Sequence, residues 1–590
     1  MSARAQVPNP STHDVVTFDL VVNGNAVDSG YQVLSVSTTK EVNRVPSARI
    51  VLRDGEASDA DFPISNTDDF IPGNDIQIKI GRDRQNATVF KGIIVKHHIK
   101  ISEKGNAELI IECRDRSARM TLGRKNHYYE DSKDSEVIEE IIGRNPGLTA
   151  EVQATDLVHK ELVQHHCTDW DFILSRAEAN GRLVIADDGV IRVKKPDMSQ
   201  DPALPVSYGS SIIEFEAEID ARTQWKSVEA KAWDYSNQTL FEFSSDSAPV
   251  SEPGNVSGVT LANALSPDKL QLRHSGQLLE SELQQWTDAA MLKSRLAKIC
   301  GRAKFQGFSS IKPGQTIELQ GVGNRFNGKA FVSAVRHNIG AGVWETHVQF
   351  GLPPRWFHQS EDIPDTPAAG LLPAIHGLQI GKVVQLQNDP DGEDRILVRL
   401  PIIDNSARGI WARVASLDAG SNRGAFFRPE IDDEVIVGFV NDDPRDAVVL
   451  GMLHSSAKPA PINAQDVNHE KGFITRSDMR IHFHDDTKTI TISTPAGNSI
   501  ILNEQSTSIV ITDQNNNTLK MEPAGITLNS PANITIEAGA KIDIKATAAL
   551  TIGAAQIAIS AQSAMEVKGA TAKLAGTGIT EITGSLVKIN

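Results

Sequence analysis

The C-terminal end carries the plainest hydrophobic pattern in the chain. In ITIEAGAKIDIKATAALTIG, residues 534–553, the pairs Ile534/Ile536, Ile542/Ile544 and Leu550/Ile552 recur at steps of eight, with Ala, Gly, Lys, Thr and Glu between them. Each pair reads as one short alternating strand with a narrow apolar face. Upstream the pairs are more widely spaced: Ile481/Phe483, Ile490/Ile492, Ile500/Leu502, Ile509/Ile511 and Leu519/Met521. From Ile526/Leu528 the step tightens to eight. It then alternates between seven and eight through Ile557/Ile559, Met565/Val567 and Ala572/Leu574, and the pattern ends in Val587/Ile589. This is an internal repeat of strands over 481–590.

One such strand buries too little to stand alone, and a chain cannot bend around its own core within eight residues. A single chain using three octads per coil would expose sheet edges at its ends. Three chains, each giving one side of every coil, close the sheet around an axis. The composition favours this solution. No Phe, Trp or Tyr follows Phe483, and the interior of so thin a prism has no room for a ring. The predicted trimer axis is Ile526, Leu528, Ile534, Ile536, Ile542, Ile544, Leu550, Ile552, Ile557, Ile559, Met565, Val567, Val587 and Ile589. If each tight step advances one strand spacing of ~4.8 Å, the rod is ~40 Å long, with no hinge and no pocket.

The rest of the chain has a different texture. Over 1–365, alternating stretches such as IQIKI (76–80) and LIIEC (109–113) predict strands. Three helices are predicted among them. The first covers 135–143. The second covers 168–180, entered through a Thr168/Asp171 capping box and stopped by Gly181. The third covers 279–299, with Leu279, Leu283, Trp286 and Ala290 on one face. Asp188-Gly189 predicts a hairpin turn. A Pro-rich linker at 366–375 leads to an all-β unit over 376–456, whose short strands suit a barrel of the OB type. A second linker, 457–480, precedes the repeat.

Composition narrows the function. The chain has 590 residues and a formal net charge of −16, which argues against nucleic acid as a partner. Cys113, Cys167 and Cys300 are too few and too far apart for a disulfide framework. MSARAQVPNPSTHD lacks the apolar core of a signal peptide, and no run of 18 apolar residues occurs. Assembly in a reducing cytoplasm is expected, with export through some other machinery.

Several blocks resemble one family closely. They are GKVVQLQNDPDGEDRILVRLP (381–401), Trp411-Ala-Arg, RPEIDDEVIVGFVNDDPRDAVVLG (428–451) and the repeat entry IHFHDDTKTITISTPAGNSIIL (481–502). HCTDWDFILSRAEANGRL (166–183) and IKPGQTIEL (311–319) match more loosely. The resemblance is to VgrG, the fused hub-and-spike proteins of bacterial contractile injection systems, either type VI secretion or extracellular phage-tail-like particles. It implies a mainly β homotrimer with phage hub-like β-barrel domains and helical insertions over 1–365. An OB-fold neck would follow at 376–456, and an intertwined β-helix needle at 481–590. It implies that this trimer caps an inner tube protein, seats among baseplate proteins and carries effector cargo. A PAAR-type tip protein would sit on Ser585, Leu586, Val587, Lys588, Ile589 and Asn590. Contact with the target membrane would be transient. No muramidase or effector domain is expected, because only linker residues separate barrel from needle and the sequence ends within the repeat.

Catalysis, cofactors and metal are not expected. His482 and His484 share one strand face and are weak metal candidates, because three chains would bring six imidazoles together; the simpler reading is solvent-facing histidine at the needle's root. His165-His166-Cys167 invites a nucleophile reading, which the helix entrance at Thr168 already accounts for. The loop Gly321-VGNRFNG has the wrong glycine spacing for phosphate and reads as a hairpin. The carboxylates of Asp389 to Asp394 read as a solvated turn rather than a Ca²⁺ loop. Two rival functions stand beside the spike: a hydrolase within 1–365, and a receptor-binding fibre.

Overall fold

The computed structural model of the chain describes residues 6–8, 15–103, 107–247, 250–265, 268–360, 363 and 365–589. Asn590 and most of the N-terminal stretch read above for a signal peptide lie outside the described residues.

The hub is built from two units. The first contains β1 (Val16–Val22), β2 (Val33–Glu41), β3 (Ser47–Arg53), β4 (Asp75–Arg82), β5 (Gln85–Ile101) and β6 (Ala107–Arg114). The second contains β7 (Pro205–Ser207), β8 (Ile212–Ile219), β9 (Ile299–Gln306), β10 (Thr316–Gln320), β11 (Gly328–Gly340) and β12 (Val343–Phe350). With the short strand Asn25–Ala26 they form one 13-stranded sheet. Strand alternation sets the cores: Ile76, Ile78 and Ile80 of β4 are buried, and Gln77 and Lys79 between them are only partly covered. Ile50, Leu52, Phe90 and Ile111 complete the first core, and Phe305, Val332, Val348 and Phe350 the second.

The two units repeat one pattern of pairing. β2 slips register against β3 between Val33 and Ser35, and β8 slips against β9 between Ile212 and Glu214. β5 slips against β6 between Ile94 and Lys96, and β11 slips against β12 between Val332 and Ala334. Such bulges are fixed features of a strand pair and serve as landmarks. They match Ser35 with Glu214 and Lys96 with Ala334. The units join where β11 runs antiparallel to β2, from Ala334 opposite Glu41 to Gly340 opposite Ser35.

The helices lie in the insertions between strands. The longer ones are α1 (Asp134–Gly143), α2 (Asp169–Ala179), α3 (Gly258–Leu265) and α4 (Glu280–Leu296). At α2 the Thr168 hydroxyl accepts the Asp171 N–H at 3.1 Å, which supplies one half of the predicted capping box, and Gly181 takes φ +64° just beyond the end. α4 is shorter than the predicted 279–299, because Ile299 already belongs to β9. Asp188 and Gly189 both have positive φ and close a hairpin between 183–187 and 190–194.

The neck is a closed barrel of β13 (Gln379–Gln385), β14 (Ile396–Arg399), β15 (Ile410–Val414), β16 (Glu434–Phe439) and β17 (Ala447–Met452). Val383, Ile396, Val398, Val435, Val437 and Val449 fill it.

Beyond the barrel the structure departs from a uniform needle. Seven strands form one antiparallel meander: β18 (Glu470–Ile474), β19 (Arg480–His484), β20 (Thr489–Ser493), β21 (Ser499–Asn503), β22 (Ser508–Thr512), β23 (Thr518–Glu522) and β24 (Gly525–Asn529). β18 therefore lies inside the stretch read as a linker. Its Phe473 and Ile474 are adjacent and not alternating, so it gave no pair signal. Ile526 and Leu528, assigned to the octads, pair with Met521 and Leu519 as the last strand of the meander. Among the described residues from 530 onward the octads have no strand ladder within the chain. The difference follows from turn chemistry. The wider steps hold reversing segments such as DDTK, PAGN and DQNN, with left-handed residues at Lys488, Gly497, Thr507 and Asn516. The octad spacers are rich in Ala, which does not favour that conformation.

Candidate functional site

The meander presents its apolar pairs to the outside. Ile481 faces Ile492, Phe483 faces Ile490, Ile492 faces Ile500 and Ile500 faces Ile511, so the pairs of successive strands line up in rows. These residues are exposed, whereas the residues between them, Thr and Ser together with Ile501 and Val510, are partly covered. A sheet of a finished soluble protein turns its apolar face inward. Here that face is open, and Ile492, Ile500, Ile511, Leu519 and Leu528 line a concave surface.

The octads continue the open face with a regular signature. Ile534 and Ile542 are each 49% exposed, and Ile536 and Ile544 are each 65% exposed. Leu550, Ile552, Ile557, Ile559, Met565, Val567, Val587 and Ile589 are likewise exposed, as is Leu586 in the segment assigned to a tip protein. The needle is tied to the neck by stacked rings of Phe427 and Phe473, 5.2 Å between centroids, and by the Arg476–Glu430 ion pair at 2.7 Å. These anchors lie in a loop and an edge strand with no periodic pattern, and the sequence reading missed them.

The histidines sit at this junction. His482 and His484 share a face of β19, with ring centroids 6.4 Å apart, and His469 stacks on His484 at 6.0 Å. They are partly covered and not freely solvent-facing: β18 lies alongside, and His482 Nε2 is 3.5 Å from Glu470 Oε1 and has no hydrogen-bond partner. Among the described residues no group of three or more His, Cys, Asp or Glu is placed to hold a metal ion.

The remaining candidates resolve into structural roles. Cys167 is buried, and burial pushes its thiol up, the opposite of what an activated nucleophile needs. Burial likewise holds Cys113 at about 12 and Cys300 at about 11. Asp389 accepts the Arg395 guanidinium at 2.6 Å and the N–H groups of Glu393 and Arg395, and the guanidinium contact holds its carboxyl well below the usual range. That carboxylate organises a turn. Gly321 and Gly323 lie in the loop between β10 and β11, as a hairpin requires.

A charged cluster went unrecognised in the sequence because its members are far apart. Asp134, at the start of α1, is buried and bonds to His159 Nε2 at 2.9 Å, Arg176 Nε at 2.5 Å and Asn180 Nδ2 at 2.9 Å. Burial alone would raise its carboxyl, but these partners hold it well below the usual range. A second hub, Asp187, receives Lys40 Nζ at 2.5 Å and Lys312 Nζ at 2.6 Å, so it ties the hairpin to both units. Both networks are saturated with protein partners and staple the fold.

A duplicated β hub, a closed five-stranded neck and a repeat with an open apolar face define a hub-and-spike structural protein of the VgrG and phage-tail-hub class. The injector OB-domain match and the VgrG3 match agree with this class. Residues 12–341 match the family model for the Alg8 N-terminal domain, more than half of the chain, and the chain belongs to that family. Residues 379–454 match the type VI secretion system/phage-baseplate injector OB domain, coincident with the closed barrel. Over 101 residues the chain is 32% identical to the type VI secretion system spike protein VgrG3 of Vibrio cholerae, a match covering 16% of this chain and only 10% of that protein. Similar solved structures include a tail protein from Neisseria meningitidis, at 14% identity over 58% of this chain and 98% of that one with a TM-score of 0.44. The VgrG complex with PdpA from Francisella is similar over 88% of this chain and 80% of that one, at 10% identity and a TM-score of 0.38.

Proposed function

We propose that the chain works as a homotrimeric spike of a contractile injection system. The observation that carries this reading is the octad tail. Its apolar pairs repeat with matched exposure, and the described octads lack any ladder of their own. Backbone groups and apolar surface left open at every step call for partner strands of the same spacing, and two further copies supply them. The hub then caps the inner tube and seats in the baseplate, the barrels form the neck, and the octads form the rod that is driven into the target envelope. The segment 585–590 receives a tip protein, and cargo rides with it. Assembly takes place in the bacterial cytoplasm. His482 and His484 meet their symmetry mates at the root of the rod. The spike transmits force and leaves chemistry to its partners.

Light scattering on the purified full chain tests the trimer. The expected mass is three times 64.0 kDa. A mass of one chain at micromolar concentration overturns the reading.

A further inference from the structure

The chain leaves the hub along a path set by its sequence. Gly351 turns at φ +78°, where a Cβ would lie 2.2 Å from the Ile299 carbonyl oxygen. Pro353 and Pro354 follow, and neither has an N–H to offer a ladder. β12 therefore ends at Phe350, and the Leu352 N–H bonds instead to the Leu296 carbonyl at the end of α4, at 3.0 Å.

Beyond the prolines the segment is held at a few points. Trp356 packs against the cluster of Val228, Ala290 and Met291, and the Lys293 ammonium lies 4.9 Å from its ring centroid. Its neighbour Phe357 packs against a different cluster, the one built from α1 and α2. Glu178 of α2 joins the two: its carboxylate accepts the Phe357 N–H at 2.7 Å and pairs with the Lys293 ammonium of α4. Two consecutive rings thus key two separate cores, and one carboxylate ties α2, α4 and the exit segment together. At the far end Ala368 is buried, residues 367–370 lie against 440–442 of the neck, and the Ile375 N–H bonds the Asp442 carbonyl at 3.0 Å.

Between these points the packing is open. Pro353 and Pro354 are exposed and wall a groove of about 740 Å³, with Gly181, Ala289, Leu292 and Leu296 on its other sides. A segment fastened by a few contacts over open space opens as a unit, before the cores beneath it.

We propose that Leu352–Gln359 is a latch between hub and neck. Seated, its two rings hold the neck on the helical insertions. Lifted, they leave the neck on a tether of at most ~55 Å, the reach of an extended chain from Leu352 to Ala368 at ~3.3–3.6 Å per residue. The key is the Glu178–Lys293 pair, because it secures both the Phe357 backbone and the Trp356 ring. The latch belongs to the single chain and stands whether or not the chain forms a trimer.

The test is limited trypsin digestion of the full chain, followed at the Arg355–Trp356 bond through the fragment that begins at Trp356. In the seated state the Arg355 guanidinium bonds the Gln359 carbonyl across this bond. Phe357→Ala and Lys293→Met are each expected to speed cleavage there about tenfold, which corresponds to ~1.4 kcal/mol on the open population. Lys293→Arg keeps a cation over the ring and is expected to cleave like the unmodified chain. Hydrogen exchange should quicken in the exit segment and stay unchanged in the cores of α2 and α4. In electron cryomicroscopy images aligned on the hub, the neck should blur in the two fast-cleaving variants. Unchanged cleavage in both variants overturns the latch, and so does exchange that quickens throughout α2 and α4 in both. A neck that stays sharp in both overturns its role in holding the neck.

Discussion

Substitution of Ile544 by Asp places a carboxylate on the proposed axis. In the chain Ile544 keeps 65% of its surface in water, so assembly would remove about two-thirds of a side chain. Full burial of an isoleucine stabilises by roughly 1.5–3 kcal/mol, so the lost contact amounts to ~1–2 kcal/mol per chain and ~3–6 kcal/mol for three chains. Three carboxylates at one level without partners add several kcal/mol more. At ~1.4 kcal/mol per tenfold, the contact loss alone lowers the trimerisation constant by roughly 10²–10⁴. The assay is light scattering across a dilution series, with Lys545→Glu as the comparison, since strand alternation directs Lys545 away from the proposed axis. Ile544→Asp should dissociate at much higher concentration than the unmodified chain, and Lys545→Glu should follow the unmodified chain. Equal behaviour of the two variants would refute the assigned facing of the strand.

Three further outcomes concern the hub and neck. Burial, helped by the charge of Lys40 and by His347, pushes His337 down to about 3; the unfolded chain takes up this proton below ~6.5 and the folded chain does not, so stability falls as pH drops from ~6.5 towards 3, by up to ~1.4 kcal/mol per unit. Urea midpoints between pH 6.5 and 4.5 should show this slope flattened in His337→Gln, because the depressed Asp134 and Asp187 carboxylates contribute only below ~4. Asp134→Ala leaves Arg176 and His159 without their buried partner and should cost ~3 kcal/mol, read as a lower hub unfolding midpoint. Gly381→Ala would set a methyl 2.4 Å from Val398 Cγ1 inside the barrel and should cost ~1–3 kcal/mol, read as a lower urea midpoint of the neck.

The sequence exposed local order well and long-range order poorly. Alternation at Ile76, Ile78 and Ile80 and turn chemistry at Asp188-Gly189 are local signals, and the elements they predict are present. The barrel strands were likewise readable from their runs of Val and Ile. The split of the C-terminal repeat into a meander and unpaired octads was not anticipated, because strand pairs look the same in both. Only the connecting residues differ, DQNN in one and Ala-rich spacers in the other. The duplication of the hub was also hidden. It survives in bulge positions and pairing order, while the residues at matched sites, such as Ile99 and His337, have diverged. The junction anchors Phe427, Phe473 and Arg476 were invisible because aromatic stacking and ion pairs across a linker leave no periodic trace.

The meander also answers a problem that the octads create. A tail of near-identical units has many almost equivalent alignments: three such tails displaced by one whole unit would present matching faces to each other, with only the overhanging ends to tell them apart. The meander is not degenerate in this way. Its turns alternate between four and five residues and finish with the two-residue Pro523–Ala524 connection. Its base is pinned to the neck through Phe473. In the proposed trimer it would therefore act as the zero mark of a ruler: zippering that starts there would set the three tails in phase before the periodic part forms.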